Sequence, residues 1–298
     1  KMDKILLFGG TGFVGNNFTK LYNEHYKILS FGSAHDVRDS TIVNEIIQEH
    51  QAEYVINLAS ISTLKQCEDN RELCYDISFN GNKNIVNALN KCKKIKSYLY
   101  VSSSEVYDHD YYERNYSLTE SDRTTRYNAY NSGKLDSEDY CTSNNSQNYM
   151  LNIARPFTHI GPYQSSRFGF SAIAKKVIKS GLNIIEVGNT ICERDLTDVR
   201  DVCDAYMSIL KSKCNGETFN VCSNNSINLD KYLMIINNII DDTVKFDRKE
   251  SLVRKDERDY KKGSNNKIQR ATKWKPNRNI VKTTEDILSY WRDSKNND

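Results

Sequence analysis

The chain is poor in proline, with three in 298 residues, and it lacks any long hydrophobic run. Nothing approaches the roughly 18 apolar residues of a membrane span, which argues against a helical membrane protein. It also lacks a dominant charge: 42 basic residues against 39 acidic ones leave a formal net of +3. That balance gives no electrostatic case for nucleic acid or a membrane surface as partner. The first residues run from Lys4 into the short apolar stretch Ile5 to Phe8 and then glycines, without the charged region, apolar core and cleavage site of a signal peptide. A cytoplasmic location is the expectation. Eight cysteines are present (67, 74, 92, 141, 192, 203, 214, 222), none in a C-x-x-C pair. With no secretory segment beside them, they are expected to be reduced thiols used in packing, and no bound metal is expected.

What is there is a regular alternation. Short apolar runs at Ile5 to Phe8, Lys27 to Phe31, Tyr54 to Leu58, Tyr98 to Ser102 and Met150 to Ala154 have the length and flanking of buried strands. Between them, Val14, Phe18 and Leu21 share one helical face, as do Ile42 and Ile46, and as do Ile85, Val86 and Leu89. Strands alternating with helices at this spacing predict an α/β fold, a doubly wound parallel Rossmann sheet. After about residue 160 the texture loosens into a helical pattern at Ala172 to Lys179, strand candidates at Asn183 to Val187 and Thr218 to Val221, and a charged stretch from Lys245 to Lys262. The expectation is a dinucleotide-binding domain over 1–160, with a segment near 189–215 returning to it. Residues 161–298 then form mostly a smaller C-terminal substrate-binding lobe.

The segment GGTGFVG places Gly9, Gly12 and Gly15 three apart, after the first strand and at the head of the first helix. Glycines serve there because the backbone must turn tightly and approach a pyrophosphate, which rests on free amides at a helix N-terminus. A glycine fingerprint alone reads equally well as a tight turn; the strand before it and the amphipathic helix after it favour nucleotide binding. A carboxylate at the end of the second strand would select NAD, and an arginine NADP. Here Phe31, Gly32 and Ser33 occupy that place, followed by His35 and Asp36, and no basic residue precedes Arg38. The expectation is NAD, with NADP left open.

Hydride exchange between a carbinol and nicotinamide needs a group that moves the hydroxyl proton as the hydride moves. Tyr130 has Lys134 four residues on, which in a helix puts both side chains on one face. An ammonium there is expected to pull the tyrosine down from its ordinary value of about 10; three pH units would correspond to about 4 kcal/mol. The spacing is common by chance, and its position carries the weight: it follows the fourth strand, at whose end Ser102, Ser103 and Ser104 offer hydroxyls to a substrate oxygen. The bland alternative is a surface helix beside a serine-rich loop.

Taken in order, GGTGFVG, DVRD, NLAS, VSSSEVY, YNAYNSGK, ARPF, RDLTDVRDV and WKP resemble the extended short-chain dehydrogenase/reductase family, also called the NAD-dependent epimerase/dehydratase family, across nearly the whole chain. The resemblance implies Tyr130 and Lys134 as the catalytic pair with Ser103 orienting the substrate oxygen. It implies a cofactor lined by Gly9, Gly12, Phe13, Val14, Gly15, Asp36, Val37, Leu58, Ala59, Ser60 and Phe157, with Asp36 beside the adenine. ARPFTHIGP, the RDLTDVRDV segment and FNVCS look most like reductases of GDP-4-keto-6-deoxy-mannose and related oxidoreductases acting at C4 of GDP-linked manno-configured hexoses or heptoses. That implies a nucleotide-sugar substrate met by Ser103, Ser104, Thr158, Arg194 and Arg254, the two arginines on its diphosphate. The strand from Ile184 to Val187 would run beside the base. A role in surface polysaccharide synthesis follows from the same resemblance, and so does a homodimer built on helices near Asn82 to Cys92 and Tyr130 to Cys141.

Two departures matter. Thr158 stands where the related motif carries an amide that could bind sugar or phosphate. Glu105 follows the serines, and in sugar-nucleotide 4,6-dehydratases an acid at this strand end removes the C5 proton, so dehydration stays open as an alternative, as does 4-epimerisation. His159 is expected to be structural. Outside enzymes, a non-catalytic dinucleotide sensor is the rival reading, against which the tyrosine and lysine speak.

Overall fold

The computed structural model describes residues 2–61, 63–144, 148–181, 183–253 and 260–294. Along the chain run β1 (Lys4–Phe8), α1 (Phe13–Tyr22), β2 (Lys27–Phe31), α2 (Ser40–His50), β3 (Tyr54–Asn57), α3 (Leu64–Asp69), α4 (Arg71–Leu89) and β4 (Ser97–Val101). There follow α5 (Ala129–Ser143), β5 (Met150–Pro156), β6 (His159–Ile160), α6 (Gly169–Ser180), β7 (Ile184–Val187), β8 (Glu193–Asp195), β9 (Thr197–Asp198), α7 (Val199–Lys211) and β10 (Thr218–Val221). The last elements are β11 (Ser226–Ile227), α8 (Leu229–Ile240), β12 (Lys245–Arg248), β13 (Tyr260–Lys261), α9 (Asn266–Thr272) and α10 (Ile280–Asp293).

Six strands form one sheet in the order β10-β5-β4-β3-β1-β2, every pair parallel. Parallel strands are covered on both faces and so need apolar side chains on both. The strands meet this by alternation: Leu6, Phe8, Val55, Tyr98 and Tyr100 point into the core beneath α2, α4 and α5, while Ile5, Leu7, Ile56, Leu99 and Val101 point into the core beneath α1 and α7. The order reverses at β1, which has β2 on one side and β3 on the other. In open α/β sheets this switch point opens the crevice in which ligands bind.

A third core lies beyond the sheet. Phe170, Ile173 and Val177 of α6 pack with Tyr232 and Ile236 of α8, with Ile287, Leu288 and Trp291 of α10, and with Ile185 and Val187 of β7. β7 pairs in parallel with β12, so the strand over Ile184–Val187 belongs to this outer layer. A three-stranded sheet, β11-β8-β13, joins the outer layer to the carboxyl ends of the main strands. Among the described residues no helix is long and apolar enough to cross a membrane.

One expectation fails. Cys67 and Cys74 are joined as a disulfide, their Cα atoms 5.1 Å apart. The break between α3 and α4 at Asn70 brings the two helices side by side, and that Cα separation lies in the range a bridge requires. The other six cysteines are thiols, five of them buried.

Candidate functional site

The glycine loop is shaped by close approach. Gly9 has φ +76°, and a Cβ there would fall 2.7 Å from the amide nitrogen of Ala59 and the carbonyl carbon of Leu58. The Gly9 and Gly10 amides both bond the Phe31 carbonyl, at 2.8 and 3.0 Å, tying the loop to β2. At Gly15 a Cβ would overlap the Gly10 carbonyl oxygen, so the helix can sit this close to the strand only with glycine there. At Gly12 the opposite holds: the nearest atom to an added Cβ is the Gly9 oxygen at 3.4 Å. Gly12 is the N-cap of α1, with no side chain capping it and no acid in the first turn. The first amides of α1 are thus left to a ligand, and with them the positive end of the helix dipole, an arrangement that fits a dinucleotide pyrophosphate.

The other expected cofactor residues are spread along this crevice. Leu58 and Ala59 follow β3 directly, Ala59 N donating to the Asn57 side chain at 3.0 Å. Phe13 stacks on the His159 ring at 5.9 Å, and Val14 helps cover the α1 side of the sheet. His159 shares its Nδ1 with the Phe157 carbonyl at 2.8 Å, and burial lowers its pKa, as a neutral structural imidazole requires. Val37 is buried beneath α4, where a Cβ on Gly81 would come within 2.5 Å of it. Asp36 is engaged elsewhere: both carboxylate oxygens take bonds from Arg38, the closest at 2.6 Å, and that pairing lowers its pKa. Phe157 turns its ring away into a cluster with Tyr107, Leu118 and Cys222.

At the carboxyl end of β4, Ser103 and Ser104 are buried, and the Ser103 hydroxyl accepts from the Glu105 amide at 3.1 Å. Tyr130 begins α5 opposite them. Ser103 and Ser60 both act on its hydroxyl, each favouring the ionised form, so Ser60 lies close to the tyrosine. Lys134, one turn on and 2% exposed, donates to the Val101 carbonyl at 2.9 Å and lies 5.8 Å from the Tyr130 ring centroid.

The electrostatics differ from the sequence expectation. Burial pushes the Tyr130 hydroxyl up to about 12, with Ser103 and Ser60 pulling it down and Glu105 pushing it up. Burial also pushes the Lys134 ammonium down to about 8, opposed by Glu138. Lys134 therefore does not by itself make Tyr130 a phenolate; desolvation of the ring outweighs it.

Glu105 is held differently. Burial works to raise its carboxyl, but Lys261, then His109 and Arg194, more than offset this and hold it at about 2. Lys261 Nζ meets Glu105 Oε1 at 2.5 Å. Arg194 lies on β8 in register with Lys261 on β13. Thr158 sits between β5 and β6, its carbonyl accepting from Thr197 N at 3.0 Å. Arg254 lies outside the described residues.

Several participants have no counterpart in the sequence expectation. Asn131, fully buried next to Tyr130, donates to the carbonyls of Glu105 and Thr125 and so fixes the start of α5 against the turn after β4. Glu138 and Arg155 form a buried ion pair, Arg155 Nε to Glu138 Oε1 at 3.0 Å, which also takes the Ser102 hydroxyl. Both lie inside quoted motifs or one helical turn from them, which is the only signal that marks them. Lys261 lies in a charged run and carries no signal at all.

This crevice and fold define a nicotinamide-dinucleotide enzyme. The model of the NAD dependent epimerase/dehydratase family matches residues 5–222, and the chain belongs to that family, the extended short-chain dehydrogenases. It is 26% identical over 296 residues to a GDP-6-deoxy-D-mannose reductase of Pseudomonas aeruginosa, covering 97% of each chain. It is 24% identical over 229 residues to a GDP-6-deoxy-D-talose 4-dehydrogenase of Aggregatibacter actinomycetemcomitans, covering 74% of each. Among solved structures it is similar to RMD from Pseudomonas aeruginosa complexed with NADPH, with a TM-score of 0.88 at 26% identity over 98% of this chain and 99% of that one. The chain is an NAD(P)-dependent enzyme of the extended short-chain type.

Proposed function

We propose that the protein transfers hydride from a reduced nicotinamide dinucleotide to C4 of a GDP-linked 4-keto-6-deoxy hexose of manno configuration. The observation that carries this reading is the placement of Tyr130 at the head of α5, with the buried Lys134 ammonium 5.8 Å from its ring and Ser103 at the end of β4 acting on its hydroxyl. Reduction of a ketone needs an acid at the carbonyl oxygen, and a tyrosine held at about 12 enters the reaction already carrying its proton. The relatives named above, which reduce or oxidise GDP-linked 6-deoxy sugars by their names, support the substrate class.

The nicotinamide cofactor, when bound, supplies the hydride. The amides at the head of α1, left open by Gly12 and brought into place by the close packing at Gly9 and Gly15, would hold its pyrophosphate, and Leu58, Ala59 and Ser60 would line the crevice. Ser103 donates to the C4 oxygen and orients it. Tyr130 gives that oxygen its proton as negative charge develops there, and Lys134, an ammonium at neutral pH, faces the phenolate that forms. Arg194 stands on β8 for the diphosphate, as a bidentate guanidinium is suited to do.

The test is direct. GDP-4-keto-6-deoxy-mannose incubated with the protein and NADPH or NADH gains two mass units and consumes reduced cofactor in equal amount. An unchanged mass with no cofactor oxidation overturns the reading. A 4-epimerase would isomerise a GDP-sugar without net cofactor use, and a dehydratase would remove eighteen mass units. We infer in addition that the protein is a homodimer through α4 and α5, whose outer side carries the partly exposed rings of Tyr75, Phe79 and Tyr140 in mutual contact.

A further inference from the structure

Glu105 and Lys261 are 156 positions apart in the chain and meet at 2.5 Å. Their side chains are 21% and 11% exposed. A pair this buried carries a desolvation penalty that its attraction does not reliably recover, so its presence asks for a reason other than stability. The surroundings supply one. Glu105 lies two residues beyond Ser103, its carbonyl accepts from the side chain of Asn131, the residue after Tyr130, and its charge helps to raise the Tyr130 hydroxyl. It is thus a carboxylate at the reaction centre that the hydride-transfer scheme does not use. The groups that act on its carboxylate are Lys261 on β13, His109 in the turn beyond β4 and Arg194 on β8, and its own charge acts in turn on Tyr130 of α5.

We propose that Lys261 is a specificity-determining residue: by pairing with Glu105 it silences a carboxylate that would otherwise remove a proton from the carbon next to the C4 carbonyl, and so confines the site to hydride transfer. This rests on the proposed reaction. A hydrogen on a carbon beside a ketone is acidic. A free Glu105 carboxylate takes that proton; the electrons of the broken C–H bond form the carbon–carbon double bond of an enol, and the carbonyl pair moves to the C4 oxygen, which takes the Tyr130 proton. Reversal, with a proton that Glu105 has exchanged with solvent, restores the ketone. In a sugar that still bears a C6 hydroxyl, removal of the C5 proton would let the C6–O bond break as a C5–C6 double bond forms, the leaving oxygen taking from Glu105 the proton it had removed and departing as water. The paired carboxylate is a poor base for two reasons: its lone pairs are engaged by the ammonium, and the adjacent positive charge lowers its proton affinity.

Two measurements on the full chain test this. Protein labelled with ¹³C at the glutamate carboxyls is titrated, Glu105→Gln identifying the resonance; the Glu105 midpoint is expected to rise by about 1–3 pH units in Lys261→Met. It is expected to stay low in Lys261→Arg, which keeps the charge. Separately, GDP-4-keto-6-deoxy-mannose is incubated in D₂O and the uptake of deuterium beside C4 is followed by mass. Lys261→Met is expected to exchange at least about tenfold faster than the wild type (~1.4 kcal/mol), and Lys261→Met/Glu105→Gln to lose the gain. An unmoved midpoint, or a moved midpoint without faster exchange, or wild-type exchange as fast as that of Lys261→Met, overturns the proposal. If the wild type fails to reduce the 4-keto sugar at all, the proposed function falls, while the carboxyl titration still reads the pairing on its own.

Discussion

Lys134 Nζ is bonded to the Val101 carbonyl oxygen at 2.9 Å, which fixes the ammonium between the end of β4 and the Tyr130 ring. Held there at about 8, it is cationic at neutral pH and loses its charge within the working range of many assays. The folded-state value lies below the ordinary one for lysine, so the ammonium is present below about 8 and absent above it. kcat/KM for ketone reduction is therefore expected to be level below pH 7.5 or so and to fall about tenfold per unit above pH 8. Lys134→Met is expected to lower kcat and to abolish this break. A wild-type profile that stays flat to pH 10 would remove Lys134 from the mechanism.

Tyr130→Phe removes the proton donor and leaves ring packing in place. Turnover is expected to drop by about 10²–10⁴, with the affinity for NADPH, read by fluorescence titration, within a factor of about three of wild type, since half a kcal/mol or so is all a neighbouring hydroxyl is asked to supply there. Near wild-type turnover would mean that another group moves the proton.

Gly12 and Gly15 separate binding from folding. The open space at Gly12 allows Gly12→Ala to fold with unchanged thermal stability while the new methyl intrudes on the pyrophosphate, weakening cofactor binding at least tenfold, or about 1.4 kcal/mol. Gly15→Ala drives a methyl into the Gly10 carbonyl and is expected to cost about 1–3 kcal/mol of stability by denaturant titration, with or without cofactor. Equal loss of stability in the two variants would contradict the assignment of Gly12 to the ligand.

Asp195 is fully buried and accepts from Ser223 N at 2.8 Å, the Ser223 hydroxyl at 2.7 Å, Asn224 N at 3.0 Å and Gly263 N at 3.3 Å. Burial pushes its carboxyl up to about 6 in spite of these donors. Asp195→Ala leaves several buried donors without a partner and is expected to destabilise the protein by about 3 kcal/mol. Because the folded value lies above the ordinary one, the contribution of this group to stability is present in full below pH 3.8 and is lost as pH rises through about 6. Denaturant titrations of wild type and Asp195→Asn are expected to diverge over that window and to run parallel above it.

Phe79 touches Tyr75 at 5.5 Å and Tyr140 at 6.1 Å across α4 and α5. Sedimentation at micromolar concentration is expected to show a dimer, and Phe79→Glu a monomer, because a charge placed in an apolar contact between copies is left unpaired. A wild-type monomer would end the dimer proposal.

The sequence by itself marked five of the six main strands as short apolar runs, with α1, α2 and α4 between them; it set the sixth, Thr218–Val221, among the looser elements of the second lobe, whereas the fold pairs it with β5 in the main sheet. It determined the glycine loop, because only glycine tolerates the approach of Gly9 to Ala59 and of Gly15 to Gly10. It also marked Tyr130 and Lys134, one helical turn apart, and Ser103 at the end of β4 as candidates, while the distance of 29 residues from Val101 to Tyr130 is closed only by the fold. The helices α8 and α10 had no counterpart in that reading, as their apolar faces meet only in a core assembled late in the chain. The Cys67–Cys74 bridge and the pairing of Glu105 with Lys261 were decided by tertiary structure alone. So were the direction of the Tyr130 and Lys134 shifts. Sequence spacing reports which groups can be neighbours along a helix or strand, whereas desolvation and an ion pair between distant segments depend on what the fold packs around them.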